Sequence, residues 1–270
     1  RVLAPNEPAG PILPGVAAKL GLPGEVLVGP GAGDNAGAAL GLGLAEGDVA
    51  VSLGTSGVVF AVSATPTRDA AGFVAGFASA TGSFLPLVCT LNATKVTDTV
   101  ARWLGVDAAG LAELALAATG DDGPMLVPYF DGERTPNLPD ATGTWLGLTN
   151  HTTREQLARA AHDGVLCGLL DGLDHLRSTG ATADGRMFLV GGGGRSPAYR
   201  QRLADLAGHP ITVPDLDEAV ATGAAVQAAV VAGAGPFADV AARWSLGTGT
   251  SVDPTTNATA IRASYTAATT

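Results

Sequence analysis

The chain is organised around Gly29-Pro-Gly-Ala-Gly-Asp-Asn-Ala-Gly-Ala-Ala-Leu-Gly-Leu-Gly43. The apolar run before it, Val26-Leu-Val28, has the make-up of a buried strand. A glycine-rich turn then brings Asp34 to the start of a helix of small residues that runs to about Leu44. Strand, glycine turn, lone carboxylate and helix start form a unit that can hold a general base beside a bound phosphate. The same residues fit a plainer role, in which Asp34 only caps its helix. Taken alone, the stretch leaves both readings open.

Outward from it, the pattern alternates strands and helices. Val16–Leu20 reads as a short helix stopped by Gly21 and Pro23. Val49–Leu53 and Val58–Val62 read as two strands of a hairpin turned by Gly54-Thr55-Ser56-Gly57, and Phe73–Phe77 and Phe84–Cys89 as two more. Helices are expected over Thr94–Leu104 and Ala108–Ala118, with Gly105 and Gly120 as stops. A strand at Met125–Val127 leads into a turn-rich loop, and Arg154–Arg177 is the longest helical pattern. Met187–Val190, a helix from Pro197 to near Gly208, the strand Ile211–Val213 and a helix over Glu218–Val231 follow. This order predicts an α/β domain on a mixed sheet flanked by helices.

The strongest local signal is Val190-Gly-Gly-Gly-Gly-Arg-Ser-Pro197. Four glycines between a buried strand and a helix capped by Ser196 let a ligand approach the backbone, and N–H groups at a helix start suit a phosphate or a nucleoside across the turn. A purely structural turn is disfavoured, because four consecutive glycines cost much backbone entropy. The hairpin tip Leu53-Gly-Thr-Ser-Gly57 can aim the Thr55 hydroxyl and backbone amides at a terminal phosphate, although in isolation an ordinary hairpin is the better explanation. Ser245-Leu-Gly-Thr-Gly249 repeats part of that string and reads as coincidence. Gly132-Glu-Arg-Thr-Pro136 reads as a loop with a solvated ion pair, and the four histidines have no metal-ligand spacing, His162 and His175 being placed on a helix surface or in the core.

Composition narrows the partners. The 270 residues are 46% hydrophobic and only 5% aromatic, so the core is packed through small side chains. A net charge of −10 argues against a nucleic-acid surface, but backbone nests bind phosphates without basic side chains. Cys89 and Cys167 form no C-x-x-C and read as buried free thiols of a reducing cytosol. No run reads as a membrane span, and a cytoplasmic location is expected. Residues 1–15, with Pro5, Pro8, Pro11 and Pro14, read as a linker from a preceding domain. Residues 16–235 are the expected domain, and 236–270 a Thr-, Ser- and Ala-rich low-complexity tail ordered only in part.

With these pieces in order, the chain resembles the FGGY family of carbohydrate kinases, and most closely the C-terminal domain of its xylulokinase branch. The strings that carry the resemblance are Gly31-Ala-Gly-Asp-Asn-Ala-Gly37, Ser52-Leu-Gly-Thr-Ser-Gly-Val58, Gly132-Glu-Arg-Thr-Pro136, Gly191-Gly-Gly-Gly-Arg-Ser196 and Glu218-Ala-Val-Ala-Thr-Gly-Ala-Ala225. Gly143–Leu148, Gln156–Ala160 and Asp163 look like a second family signature, from which His162 departs where an apolar residue is expected.

The resemblance implies an RNase H-like, actin-like ATPase domain with ATP and Mg²⁺ as cofactors and a sugar as substrate. It puts Asp34 on the catalytic base, Asn35 on a sugar contact, Thr55 on the contact to the β- and γ-phosphates, and Gly192, Gly193 and Ser196 on the nucleotide-binding turn. It also implies an N-terminal domain with a D-x-G-T hairpin as the partner closing the cleft. These residues alone are then expected to be inactive, and a homodimer is a further expectation. Xylulose is the expected sugar. Ribulose, glycerol or gluconate, or a nucleotide-binding module without catalysis, are the alternatives.

Overall fold

A computed structural model of the chain describes residues 2–120 and 123–269. Arg1 and Thr270, at the outer ends of the expected linker and tail, lie outside the described residues. In chain order the elements begin with β1 (Gly10–Pro11), α1 (Pro14–Leu20), β2 (Leu27–Val28) and α2 (Asp34–Gly41). The hairpin β3 (Val49–Leu53) and β4 (Gly57–Ala61) is followed by β5 (Leu87–Thr90), α3 (Thr94–Leu104) and α4 (Ala108–Ala117). Then come β6 (Met125–Val127), β7 (Thr144–Leu146), α5 (Arg154–Ser178) and β8 (Met187–Val190). A 3₁₀ turn over Gly192–Arg195 leads into α6 (Pro197–Ala207), β9 (Ile211–Pro214) and α7 (Ala219–Val231). The chain closes with α8 (Phe237–Arg243), β10 (Gly249–Val252) and α9 (Thr259–Thr269).

Six strands form one mixed sheet in the order β10-β9-β8-β3-β4-β5, with β3, β8 and β9 parallel and the outer strands antiparallel. Its two faces carry separate cores. On one, Val51, Leu53, Val59 and Leu189 pack against α3, α4, α5 and α6. On the other, Ala50, Phe60 and Phe188 pack against α2, α7 and α8. Helix starts follow from local chemistry. Thr153 and Gln156 make a capping box for α5, and the Asp107 carboxylate accepts from Gly110 N–H at 2.8 Å.

The contact between α2 and α7 is backbone against backbone. A methyl group added at Gly41 would collide with the Ala219 carbonyl oxygen, and one at Gly223 with that of Gly37. Gly223 of Glu218–Ala225 therefore serves packing, and it places the helix that begins at Asp34.

Several expectations change. Leu27 and Val28 of β2 are exposed, where Val26–Val28 was expected to be a buried strand, because β2 pairs only with the short β1 and stands apart from the main sheet. Residues 73–77 form no strand. The Asp69 carboxylate instead accepts from the N–H groups of Ala71, Phe73 and Val74, which curls the segment and leaves Ala75 only an isolated bridge to Leu87. The Pro-rich start is tied down, since β1 pairs with β2 and Gln227 Nε2 donates to Pro5 O. The tail is folded: β10 pairs with β9 along four residues, and α9 buries Tyr265. Asp205 anchors it by accepting from Thr255 N–H at 2.7 Å and Thr256 N–H at 3.2 Å. The Ser245–Gly249 string is part of this docking, with Gly247 O accepting from Arg186 Nη1 at 3.1 Å.

Replacing Gly223 by Ala is expected to lower stability by about 1–3 kcal/mol through overpacking. Gly15→Ala, whose methyl meets nothing within 4 Å, should hold or raise stability. Denaturant midpoints that fall equally in both variants would contradict the account of the α2–α7 contact.

Candidate active site

Both phosphate-type turns open on one cavity. The β3–β4 tip, Gly54 and Thr55, and the turn residues Gly192, Gly193 and Ser196 line a space of about 580 Å³ at the ends of β3 and β8. That size suits a drug-sized or nucleotide-sized ligand. The start of α3, the start of α4, His162 and Tyr199 complete its wall.

The glycines of the turn divide the work. Gly191 has φ +84°, and a Cβ there would sit 2.6 Å from Leu53 O. A Cβ at Gly193 would sit 2.6 Å from Leu53 Cβ. Both are required for the turn to lie on β3. Gly192 is different: the nearest atom to an added Cβ is Arg195 Nη2 at 3.7 Å. Its missing side chain leaves room on the cavity side. Ser196 caps α6, its hydroxyl oxygen accepting from Tyr199 N–H at 3.4 Å. Thr55 is exposed at the hairpin tip, which is held because Gly54 O accepts from Thr94 N–H at 3.0 Å.

Asp34 and Asn35 do not line this cavity. Asp34 is the first residue of α2, and Gly33, not Asp34, is the N-cap. The exposed Asp34 carboxylate accepts from Asn35 N–H at 2.8 Å through one oxygen. Asn35 is half-buried beside it. Burial raises the Cys89 thiol above its ordinary pKa, Arg134 opposes the rise and Asp34 adds to it. Asp34 and Arg134 are thus within electrostatic reach of β5. The helix carrying Asp34 packs on the opposite sheet face from the helices that wall the cavity, and the β3–β4 hairpin belongs to both cores.

Two acids that sequence reasoning undervalued are structural. Glu133, expected to be solvated, is buried. Its carboxylate accepts from Leu91 N–H at 2.5 Å, Asn92 Nδ2 at 2.8 Å and Arg134 N–H at 2.7 Å, pinning the strand that leads into α3. Asp163 is buried with Arg202, whose Nε and Nη2 donate to it at 2.7 and 3.0 Å, while Nη1 donates to Asp205 at 3.1 Å. Burial alone would raise the Asp205 carboxyl, but the N–H groups of Thr255 and Thr256 and the Gln201 amide outweigh it and hold it below the usual range. Neighbouring complementary donors, far apart in sequence, carry both arrangements, so local pattern could not reveal them.

A family model described as "FGGY family of carbohydrate kinases, C-terminal domain" matches residues 49–232. The chain belongs to the FGGY family of carbohydrate kinases. It is 44% identical over 255 residues to a xylulose kinase of Streptomyces coelicolor, covering 94% of this chain and 51% of that one. The crystal structure of a xylulose kinase from Bifidobacterium adolescentis is 46% identical with a TM-score of 0.86, covering 99% of this chain and 52% of that one. A Plasmodium falciparum glycerol kinase solved with ADP is 18% identical with a TM-score of 0.77 over 90% of this chain and 50% of that one, a likeness of fold alone. The chain spans about half the length of the relatives it matches. Its fold is the actin-like ATPase fold of these FGGY kinases, a mixed sheet flanked by helices. Among the described residues no helix is long and apolar enough to cross a membrane.

His162 in the cavity wall is buried, and burial pushes its pKa from 6.5 down to about 4. The folded chain therefore keeps it neutral where the unfolded chain takes up a proton. Its contribution to stability should be lost as pH falls from about 6.5 towards 4, by up to about 1.4 kcal/mol per pH unit. Denaturation at pH 7, 6 and 5 should show a steeper acid loss for the native sequence than for His162→Leu. Identical slopes would contradict it.

Proposed function

We propose that this chain is the nucleotide-holding half of an ATP-dependent xylulose kinase acting in the cytoplasm. The observation that carries the proposal is the meeting of the Thr55 hairpin tip and the Gly192 turn on one cavity. Identity to xylulose kinases over nearly the whole chain supports the choice of sugar. ATP would lie with its phosphates at Gly54, Thr55 and Gly192 and its nucleoside between α4 and the start of α6.

Transfer then runs in line. The oxygen of the sugar's terminal hydroxyl attacks the γ-phosphorus while its proton passes to the Asp34 carboxylate, and the bond to the β–γ bridging oxygen breaks as ADP leaves. Asp34 suits this role because one of its oxygens is engaged by Asn35 N–H and the other has no protein donor among the described residues. Asn35, next along the helix, would orient the sugar. Backbone N–H groups at the hairpin tip and the glycine turn would stabilise charge on the transferred phosphoryl group.

Among the described residues no cluster of three or more His, Cys, Asp or Glu could hold a metal ion. This set does not fit a protein cage for Mg²⁺, so the ion would arrive bound to the nucleotide's phosphates. Relatives about twice this length have room for a second domain, which would cover the sugar and exclude water from the transferred phosphate.

In the full-length protein, Asp34→Asn should reduce ATP-dependent xylulose phosphorylation by about 10²–10⁴-fold while ATP binding persists. Normal turnover in that variant would remove Asp34 as the base. Gly192→Val should fold with an unchanged thermal midpoint yet bind ATP about tenfold or more weakly. Undiminished affinity would remove the turn from the nucleotide site.

A further inference from the structure

The lining of the cavity combines backbone-rich turns, Gly54–Thr55 and Gly192–Gly193, with an apolar part made by Ala108, Leu111 and Ala112. Phosphates held at the turns would leave the base to the apolar part. Among the described residues lining the cavity, three polar side chains are buried: Thr97, Tyr199 and His162. Thr97 Oγ1 and Tyr199 Oη bond each other at 3.1 Å.

His162 is placed otherwise. Its Nδ1 lies 2.9 Å from Ala158 O. A carbonyl oxygen only accepts, so Nδ1 carries the proton and Nε2 carries a lone pair. No donor among the described residues reaches Nε2. The Tyr199 ring stands edge-on to the imidazole, with centroids 4.6 Å apart and planes at 63°, which fixes the ring's orientation. An acceptor with no protein donor among the described residues, on a side chain that lines the cavity, favours a ligand that supplies a donor.

We infer that His162 reads the base of the bound nucleotide, its Nε2 accepting a hydrogen bond from the exocyclic amine of a 6-aminopurine. The inference rests on the nucleotide reading of the cavity and deepens it, by giving one side chain the choice of base. A 6-oxopurine would set its own oxygen lone pair against that of Nε2 and be rejected.

The test is calorimetric titration of the full-length protein with ATP and with ITP, its 6-oxo counterpart. The native sequence should bind ATP about tenfold or more tightly than ITP. His162→Leu should bring the two within about threefold by weakening ATP while ITP holds. His162→Gln, which restores an acceptor, should keep the preference for ATP. Purine riboside triphosphate, which lacks any group at position 6, needs no variant and should bind the native protein more weakly than ATP. A ratio unchanged in His162→Leu, equal losses for both nucleotides, or equal binding of ATP and the 6-unsubstituted analogue would each overturn the assignment alone. Failure of the native protein to bind any of the three nucleotides would overturn it together with the nucleotide reading of the cavity.

Discussion

Backbone packed directly on backbone, with no side chain between, sets the accuracy of this structure. It occurs twice. Gly37, Gly41 and Gly223 bring α2 and α7 together, and Gly191 and Gly193 lay the turn after β8 on Leu53 of β3. In both places a single added carbon meets an atom that is itself backbone or rigidly held. Close contact of this kind gains dispersion over many small atoms and leaves few alternative arrangements. The first contact sets where Asp34 stands, and the second shapes the cavity mouth. A chain with few aromatics and many Ala and Gly residues thus obtains its accuracy from proximity.

The carboxylates sort themselves by what they are bonded to. Glu133, Asp163 and Asp205 are buried and fully engaged, each joining segments remote in sequence. Breaking such a buried arrangement leaves an uncompensated charge, which is why these groups behave as clamps. Asp34 is exposed, at a helix start, with one oxygen uncommitted. Only an acid in that condition is available to take up a proton during a reaction. Position relative to donors, more than residue type, separates these clamps from the proposed base.

Much of this was legible in the sequence wherever the determining interaction is local. The hairpin at Gly54–Ser56, the helix start at Asp34 and the glycine turn after Val190 all follow from neighbours within a few residues. Reading failed where distant residues decide. Phe73–Phe77 has a strand's composition, but one carboxylate at Asp69 gathers its N–H groups. The last 35 residues look weakly structured by composition, yet Asp205 and the edge of β9 supply the missing partners. Glu133 resembled any loop acid because two of its three donors lie about forty residues away. His162 shows a middle case: its departure from an apolar pattern was visible, but its unpaired nitrogen was not.

The folded tail has a consequence for how copies of this chain behave towards one another. Without β10, the sheet would end on Ile211-Thr-Val213, a β-branched strand with its hydrogen-bonding edge open. Such an edge is a template on which another chain can add a strand. The tail replaces it with Gly249-Thr-Ser-Val252, four mostly small and polar residues that twist away into α9. A segment of low apparent information thereby guards this side of the sheet against edge-to-edge aggregation, keeping a β-branched strand inside it.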